Sequence, residues 1–265
     1  MATRGVIIDL DGTVYRGNTR LAGAREGIAT LHDSSCDVCF VSNNPAKSPT
    51  EFAARLTEMD VPADAEAVVS AASVTATTLE RTHSDADLFV IGSPGLRSIL
   101  ENRDFALTDD PAACDVLVAS YDRGFEYDDM TDGLRAIEAG AAFVGTDPDR
   151  TIPTADGRAV PGSGAIINAI TGVVDREPDW IAGKPAERMA ETALTRLDCA
   201  PEECLVIGDR LDTDIAMGER HGMTTVLVLT GVTDRATLAT SDIEPDHVID
   251  GLGDIGVVLD TIDAD

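Results

Sequence analysis

Three short apolar runs, each ending in polar residues able to bind an ion, constrain this chain more than any other feature. Val6-Ile7-Ile8 runs into Asp9-Leu10-Asp11-Gly12-Thr13, Cys39-Phe40-Val41 into Ser42-Asn43-Asn44-Pro45, and Leu205-Val206-Ile207 into Gly208-Asp209. Runs this short, largely β-branched and without polar alternation suit parallel strands buried on both faces. Helix-length segments follow: Ala24 to His32, a segment opened by Pro49, and Ala186 to Leu197 opened by Pro185. Strand then helix, repeated, predicts an α/β fold with a Rossmann-like parallel-sheet core. In such sheets ligands gather at the carboxyl ends of strands, where these polar residues lie.

The first run is the most informative. Gly12 breaks the strand and permits a tight turn. Asp9 and Asp11, two residues apart, project to one side of an extended chain. One can attack as a nucleophile while the other handles a proton, with a hard cation between them and a phosphate. A plain turn and a calcium loop are the alternatives. The calcium loop fails: the residue twelfth from Asp9 is Arg20 where an EF-hand needs Glu, and a strand precedes the acids. Ser42 offers a hydroxyl and Asn43 a backbone N–H to a phosphate oxygen, the alternative again being a turn. Lys184 stands just before a helix N-terminus, where anions are favoured, and would otherwise be a loop lysine. Asp209, Asp212 and Asp214 put three acids at a third strand end, a cation site beside Asp9 if the strands are neighbours.

Between about residues 82 and 178 the strand–helix pattern begins afresh and then returns to the outer one, which predicts an inserted α/β cap domain at 82–178 and a core at 1–81 and 179–265. The helix Ala71 to Arg81 closes the first part of the core, and Asp156-Gly157 is a turn signal within the cap. Composition supports a folded chain: 43% of the 265 residues are hydrophobic despite a net charge of −28. That sign argues against nucleic-acid and anionic-membrane partners, which need basic patches. No apolar run approaches a membrane span and no signal-peptide core opens the chain, so a cytoplasmic protein is expected. Only Lys47 and Lys184 among the 20 basic residues are lysines. Abundant acid with little lysine resembles the proteins of salt-loving archaea. In such a chain an ammonium at 184 needs a reason Arg cannot supply, and a compact charge for a phosphoryl oxygen is one. The five cysteines include Cys36-x-x-Cys39, but no second pair stands at zinc spacing, so all are expected as reduced core thiols.

Asp9-Leu10-Asp11-Gly12-Thr13, Ser42-Asn43-Asn44, Gly183-Lys184-Pro185 and Gly208-Asp209 with Asp214, in that order, resemble the four motifs of the haloacid dehalogenase (HAD) superfamily. Val14-Tyr15-Arg16-Gly17, Phe143-Val144-Gly145-Thr146, Pro161-Gly162-Ser163-Gly164 and the run Gly208 to Ile215 are similar to its NagD-like, p-nitrophenyl phosphatase branch, which carries a large α/β cap. The resemblance implies that Asp9 attacks phosphorus and that Asp11 is the acid, then the base. It implies Mg2+ held by Asp9, the Asp11 carbonyl and Asp209, with Asp214 supporting, and a phosphoryl cradle of Ser42, the Asn43 amide and Lys184. Asp212 reads as a surface or helix N-terminal acid. Two departures bear on the substrate. The branch usually has Asn where Asp147 stands, and the loop Tyr121 to Phe125, with Arg123, has Gly124 where relatives often have a bulkier residue. The implied activity is hydrolysis of a small phosphomonoester (sugar phosphate, phosphoglycolate or nucleotide) through an aspartyl-phosphate. A 5′-nucleotidase specialised for one nucleotide, a phosphomutase and a non-catalytic acidic cation-binding module are the alternatives. The expected partner is a small phosphorylated metabolite, and a homo-oligomer would form through the cap.

Overall fold

In a computed structural model, which describes residues 3–153 and 158–262, the chain divides into two compact units. Unit 1 comprises Met1–Ser42, Pro49–Val69 and Lys184–Asp265; unit 2 comprises Asn43–Ser48 and Ser70–Gly183.

Unit 1 is built on a six-stranded sheet in the order His247–Ile249, Thr224–Val228, Cys204–Gly208, Gly5–Asp9, Asp37–Ser42, Val68–Ser70, the last strand ending on Ser70, which begins the longer segment of unit 2. Gly5–Asp9 is parallel to both neighbours, pairing Ile7 with Val206 on one side and with Cys39 on the other. All five of its residues are buried, as a central strand covered on both faces requires. Val6, Ile8, Leu205, Ile207 and Phe40 point to one face, where they meet Ile28 and Leu31 of the helix Ala24–Asp33, Phe52 and Leu56 of Pro49–Glu58, and Ile255 of Ile255–Ile262. Because successive strands are laid down on opposite sides of Gly5–Asp9, the strand order reverses at its carboxyl end. That is where a crevice for ligand opens in such sheets.

Unit 2 has its own parallel sheet, ordered Trp180–Ile181, Ala142–Gly145, Val116–Ala119, Asp87–Ile91, Ala106–Leu107. Alternate residues serve two cores. Leu88, Val90, Val116, Val118 and Val144 meet Ala72, Ala76, Leu79 and Leu96 on one side; Phe89, Ile91, Leu117 and Phe143 meet Ala136, Ile166, Ile167 and Ile170 on the other. The strands Thr151–Pro153 and Ala159–Pro161 pair antiparallel. The Asp156-Gly157 turn expected between them lies outside the described residues.

The unit boundaries differ from the expected 82 and 178. The helix Ala71–Thr82 belongs to unit 2, because its buried Ala72, Ala76 and Leu79 cover that unit's sheet. Trp180–Ile181 pairs with Ala142–Gly145 as an edge strand of unit 2, so the return to unit 1 falls at Lys184. The loop Asn43–Ser48 also folds with unit 2. The Ser70 hydroxyl donates to the Lys47 carbonyl at 3.3 Å. A Cβ on Gly95 would lie 2.1 Å from the Ala46 oxygen, so the loop rests directly on that glycine.

Candidate active site

The three adjacent central strands of unit 1 end at Asp9, Ser42 and Gly208-Asp209, so parallel register alone brings two carboxylates and a hydroxyl to one edge of the sheet. Asp209 and Asp214 follow the third strand, and a tight turn of π-helical form at Leu211–Ile215 swings Asp214 back under Gly208. Gly208 is required there: a Cβ would fall 2.2 Å from the Asp214 carboxyl carbon. Lys184 closes the group. Its Nζ donates to Asp9 Oδ1 and, at 2.6 Å, to Asp214 Oδ1, while the other Asp214 oxygen accepts the Arg210 amide at 3.1 Å. Asp9, Lys184, Asp209 and Asp214 are each at most 8% exposed. Asp11, by contrast, is exposed, and so is Asp212, which pairs with Arg210 at 3.3 Å.

The electrostatics follow from that burial. Three carboxylates against one ammonium leave an excess of two negative charges in a desolvated pocket. Burial raises the Asp9 carboxyl well above its ordinary range, with Lys184 opposing the shift and Asp214 and Asp209 adding to it. Burial and then Asp214 push Asp209 up to about 7. Burial works against a charged Lys184, but Asp214 and Asp9 more than reverse it and hold the ammonium protonated. Asp9 Oδ2 and Asp209 Oδ1 are buried with no hydrogen-bond partner among the described residues. Oxygens of Asp9, Asp209 and Asp214 all lie within 4.8 Å of one another. Two orphaned carboxylate oxygens, all-oxygen donors and an excess of two negative charges fit a hard divalent cation.

Asn43, Arg123, Gly124 and Asp147 belong to unit 2. Arg123 and Gly124 are exposed on the loop after Val116–Ala119, where the Asp122 side chain accepts the Gly124 amide at 2.8 Å. Asp147 is 2% exposed and accepts the Thr146 hydroxyl at 3.0 Å and the Asp149 amide at 3.3 Å. The Asn43 side chain donates to Asp149 at 3.2 Å.

Sequence reasoning missed the turn Thr230–Thr233. Its Val232 amide donates to Asp209 Oδ2 at 2.5 Å, and the Thr233 amide to the Asp209 carbonyl at 3.1 Å. Thr230 Oγ1 donates to the Gly12 carbonyl at 2.6 Å. Gly231 sits against the carboxylate so closely that a Cβ would be 1.7 Å from Asp209 Oδ2. Arg16, on the small hairpin Tyr15–Arg16/Thr19–Arg20, donates to the Thr230 carbonyl. The available signal was a Thr-Gly pair just beyond an apolar strand, which reads as an ordinary turn.

Residues 6–106 match the haloacid dehalogenase-like hydrolase family and residues 181–255 a HAD-hydrolase-like family. The chain is 35% identical to the sugar-phosphatase AraL of Bacillus subtilis over 95% of its length and 91% of that protein. It is 36% identical to the 5′-nucleotidase YutF of the same organism, over 94% of its length and 96% of that protein. The solved structure of p-nitrophenyl phosphatase from Archaeoglobus fulgidus superposes with a TM-score of 0.91 at 32% identity, covering 97% of this chain and 100% of that one. The chain therefore belongs to the haloacid dehalogenase-like hydrolases, a superfamily the four strand-end motifs define, and within it to the NagD-like, p-nitrophenyl phosphatase branch of phosphoric monoester hydrolases.

Proposed function

We propose that this protein is a Mg2+-dependent phosphatase that hydrolyses small phosphomonoesters through an aspartyl-phosphate on Asp9. The observation that carries the reading is the pair of orphaned oxygens, Asp9 Oδ2 and Asp209 Oδ1, beside a lysine that neutralises only one of three buried carboxylates. Asp9, Asp209 and the Asp11 carbonyl would hold the ion. Asp214, both of whose oxygens already accept hydrogen bonds, supports it indirectly by orienting Lys184 and the Arg210 amide. When bound, the cation neutralises charge on the substrate phosphate and on the nucleophilic carboxylate.

The remaining chemistry belongs to the chain. Lys184 fixes one Asp9 oxygen and opposes the protonation that burial favours. Ser42, the Asn43 amide and Lys184 bind the phosphoryl oxygens, where charge is redistributed in the transition state. Asp11, exposed as a group meeting the leaving alcohol must be, protonates that alcohol and then takes a proton from the attacking water. Arg123, Gly124 and Asp147 govern substrate choice from unit 2, the first two on an exposed loop and the third through the shape of its surroundings. Sugar phosphates are the favoured substrates because AraL carries that activity in its name, and the likeness to YutF supports a nucleoside monophosphate as the second reading. No helix among the described residues is long and apolar enough to cross a membrane, which agrees with a cytoplasmic enzyme acting on small metabolites.

Phosphate release from a panel of sugar phosphates, phosphoglycolate and nucleoside monophosphates, in molar KCl with and without Mg2+, tests the proposal. Release that needs Mg2+ and is lost in Asp9→Asn is the expected result. Release undiminished by EDTA would remove the metal from the reading.

A further inference from the structure

Two of the four segment ends of unit 2, Asn43 and Gly183, converge on one buried carboxylate, Asp147. Asn43 directly follows Ser42, and Gly183 directly precedes Lys184. The Gly183 amide donates to the Thr146 carbonyl at 2.7 Å. A Cβ on Gly183 would lie 2.7 Å from Asn43 Oδ1 and 2.8 Å from Asp147 Cβ, so the three residues are in close contact. Asp147 Oδ1 accepts the Asp149 amide, and Asp149 in turn accepts the Asn43 side-chain amide. Asp147 Oδ2 accepts the Thr146 hydroxyl, which is itself 2.8 Å from the Ser120 hydroxyl. Ser163, at the start of the helix Ser163–Val174, bonds the same carboxylate and accepts the Tyr121 amide at 3.1 Å.

We infer that Asp147 is a positioning residue for the phosphatase reaction: with Asp149 it fixes the backbone at Asn43 and Gly183, and so orients Ser42 and Lys184, each one residue away. This rests on the function proposed above and specifies how Asp147 acts within it, without touching substrate. A carboxylate in this place has a consequence an amide would not have. Burial, and then the charge of Asp149, push Asp147 up to about 8. Asp149 is the acid beside it, and the other described residues around it include Asn43, Gly183, Thr146, Ser120 and Ser163, which do not titrate in this range. At neutral pH the Asp147 carboxyl therefore holds its proton. In alkaline solution Asp147 gains a charge that the charge of Asp149 opposes, and this repulsion works against the Asp149–Asn43 bond.

The test uses the full chain with p-nitrophenyl phosphate and Mg2+, comparing wild type, Asp147→Asn and Asp147→Ala. Asp147→Ala is expected to lower kcat by about tenfold to a hundredfold with KM little changed, because cradle groups are displaced, and Asp147→Asn to recover most of that loss. The distinguishing readout is pH. The kcat ratio of Asp147→Asn to wild type should rise about tenfold between pH 7 and 9, since any titration common to both cancels in the ratio. A second readout needs no turnover. The folded carboxyl keeps its proton up to about 8, whereas an unfolded one releases it near 3.8. Wild-type stability should therefore fall relative to Asp147→Asn as pH rises across that window and run level above it. A wild type that hydrolyses no phosphate ester overturns the phosphatase reading and this inference with it. A wild type that turns over, while Asp147→Asn keeps the same alkaline fall and the same pH dependence of its thermal midpoint, overturns the inference alone.

Discussion

In the proposed mechanism Asp9 meets two opposing demands: it must be buried to face a phosphorus atom without competing water, and ionised to attack it. Lys184 works against the protonation that burial favours, and the scarcity of lysine elsewhere makes that residue conspicuous in the sequence. Asp9→Asn should fold, since the amide keeps the shape and relieves a crowded negative pocket, but turnover should drop by at least about a thousandfold. Steady-state phosphate release checks this, and substantial residual activity would remove Asp9 as the nucleophile. Asp11→Asn should cost about 10² to 10⁴ in rate on an alkyl phosphate and far less on p-nitrophenyl phosphate, whose leaving group needs little help from an acid. Equal losses on the two esters would deny Asp11 that role. These residues were legible because they close buried parallel strands, where polarity is conspicuous. Gly231 was not, because nothing local distinguishes a glycine pressed against a carboxylate from one in a free turn.

At the scale of elements, the turn Thr230–Thr233 works as a brace for Asp209. Gly231→Ala must move either the turn or the carboxylate, since the added carbon would sit 1.7 Å from Asp209 Oδ2. We expect activity to fall by about a hundredfold and the rise in thermal midpoint with added Mg2+ to disappear, the latter read by calorimetry without substrate. Gly124 offers the contrast. A Cβ there meets nothing nearer than Asp122 Oδ1 at 3.4 Å, an ordinary contact, and the position is exposed. Gly124→Leu should leave the thermal midpoint almost unchanged while reordering kcat/KM across the ester panel; an unaltered ranking would exclude this loop from substrate choice. The long buried strands and their helices could be read from continuous apolar runs and prolines at helix starts. Trp180–Ile181 and Val68–Ser70 could not, because edge strands of two or three residues carry no period to detect. The helix Ala71–Thr82 is legible as a helix, but the sheet it packs on is not: an apolar stripe shows that a face is buried, not what buries it.

For the whole molecule, charge is the dominant variable. Among the described residues only Asp9, Asp147, Asp209 and Asp214 of the 48 acids are buried, so nearly all the excess negative charge meets solvent. Exposed pairs such as Arg235–Asp250 and Arg135–Asp132 contribute little against it. Screening alone would saturate by a few tenths molar salt, where the Debye length is already below about 8 Å. A surface adapted to brine should go on gaining from ion exclusion, so the thermal midpoint and activity are expected to climb from about 0.2 M to above about 2 M KCl at fixed Mg2+. A midpoint flat over that range would make the acidic composition incidental.

The loop Asn43–Ser48 is far in sequence from the rest of the unit it folds with, and that bears on recombining this enzyme with its relatives. A chimaera that grafts a foreign segment onto positions 70–183 alone would pair it with a loop shaped for another partner. It would forfeit the bond from Ser70 to Lys47, the seat of Ala46 on Gly95 and the grip of Asp149 on Asn43. The transferable module is two pieces, and a graft that carries 43–48 along with 70–183 should melt higher and turn over faster than one that leaves the short piece behind.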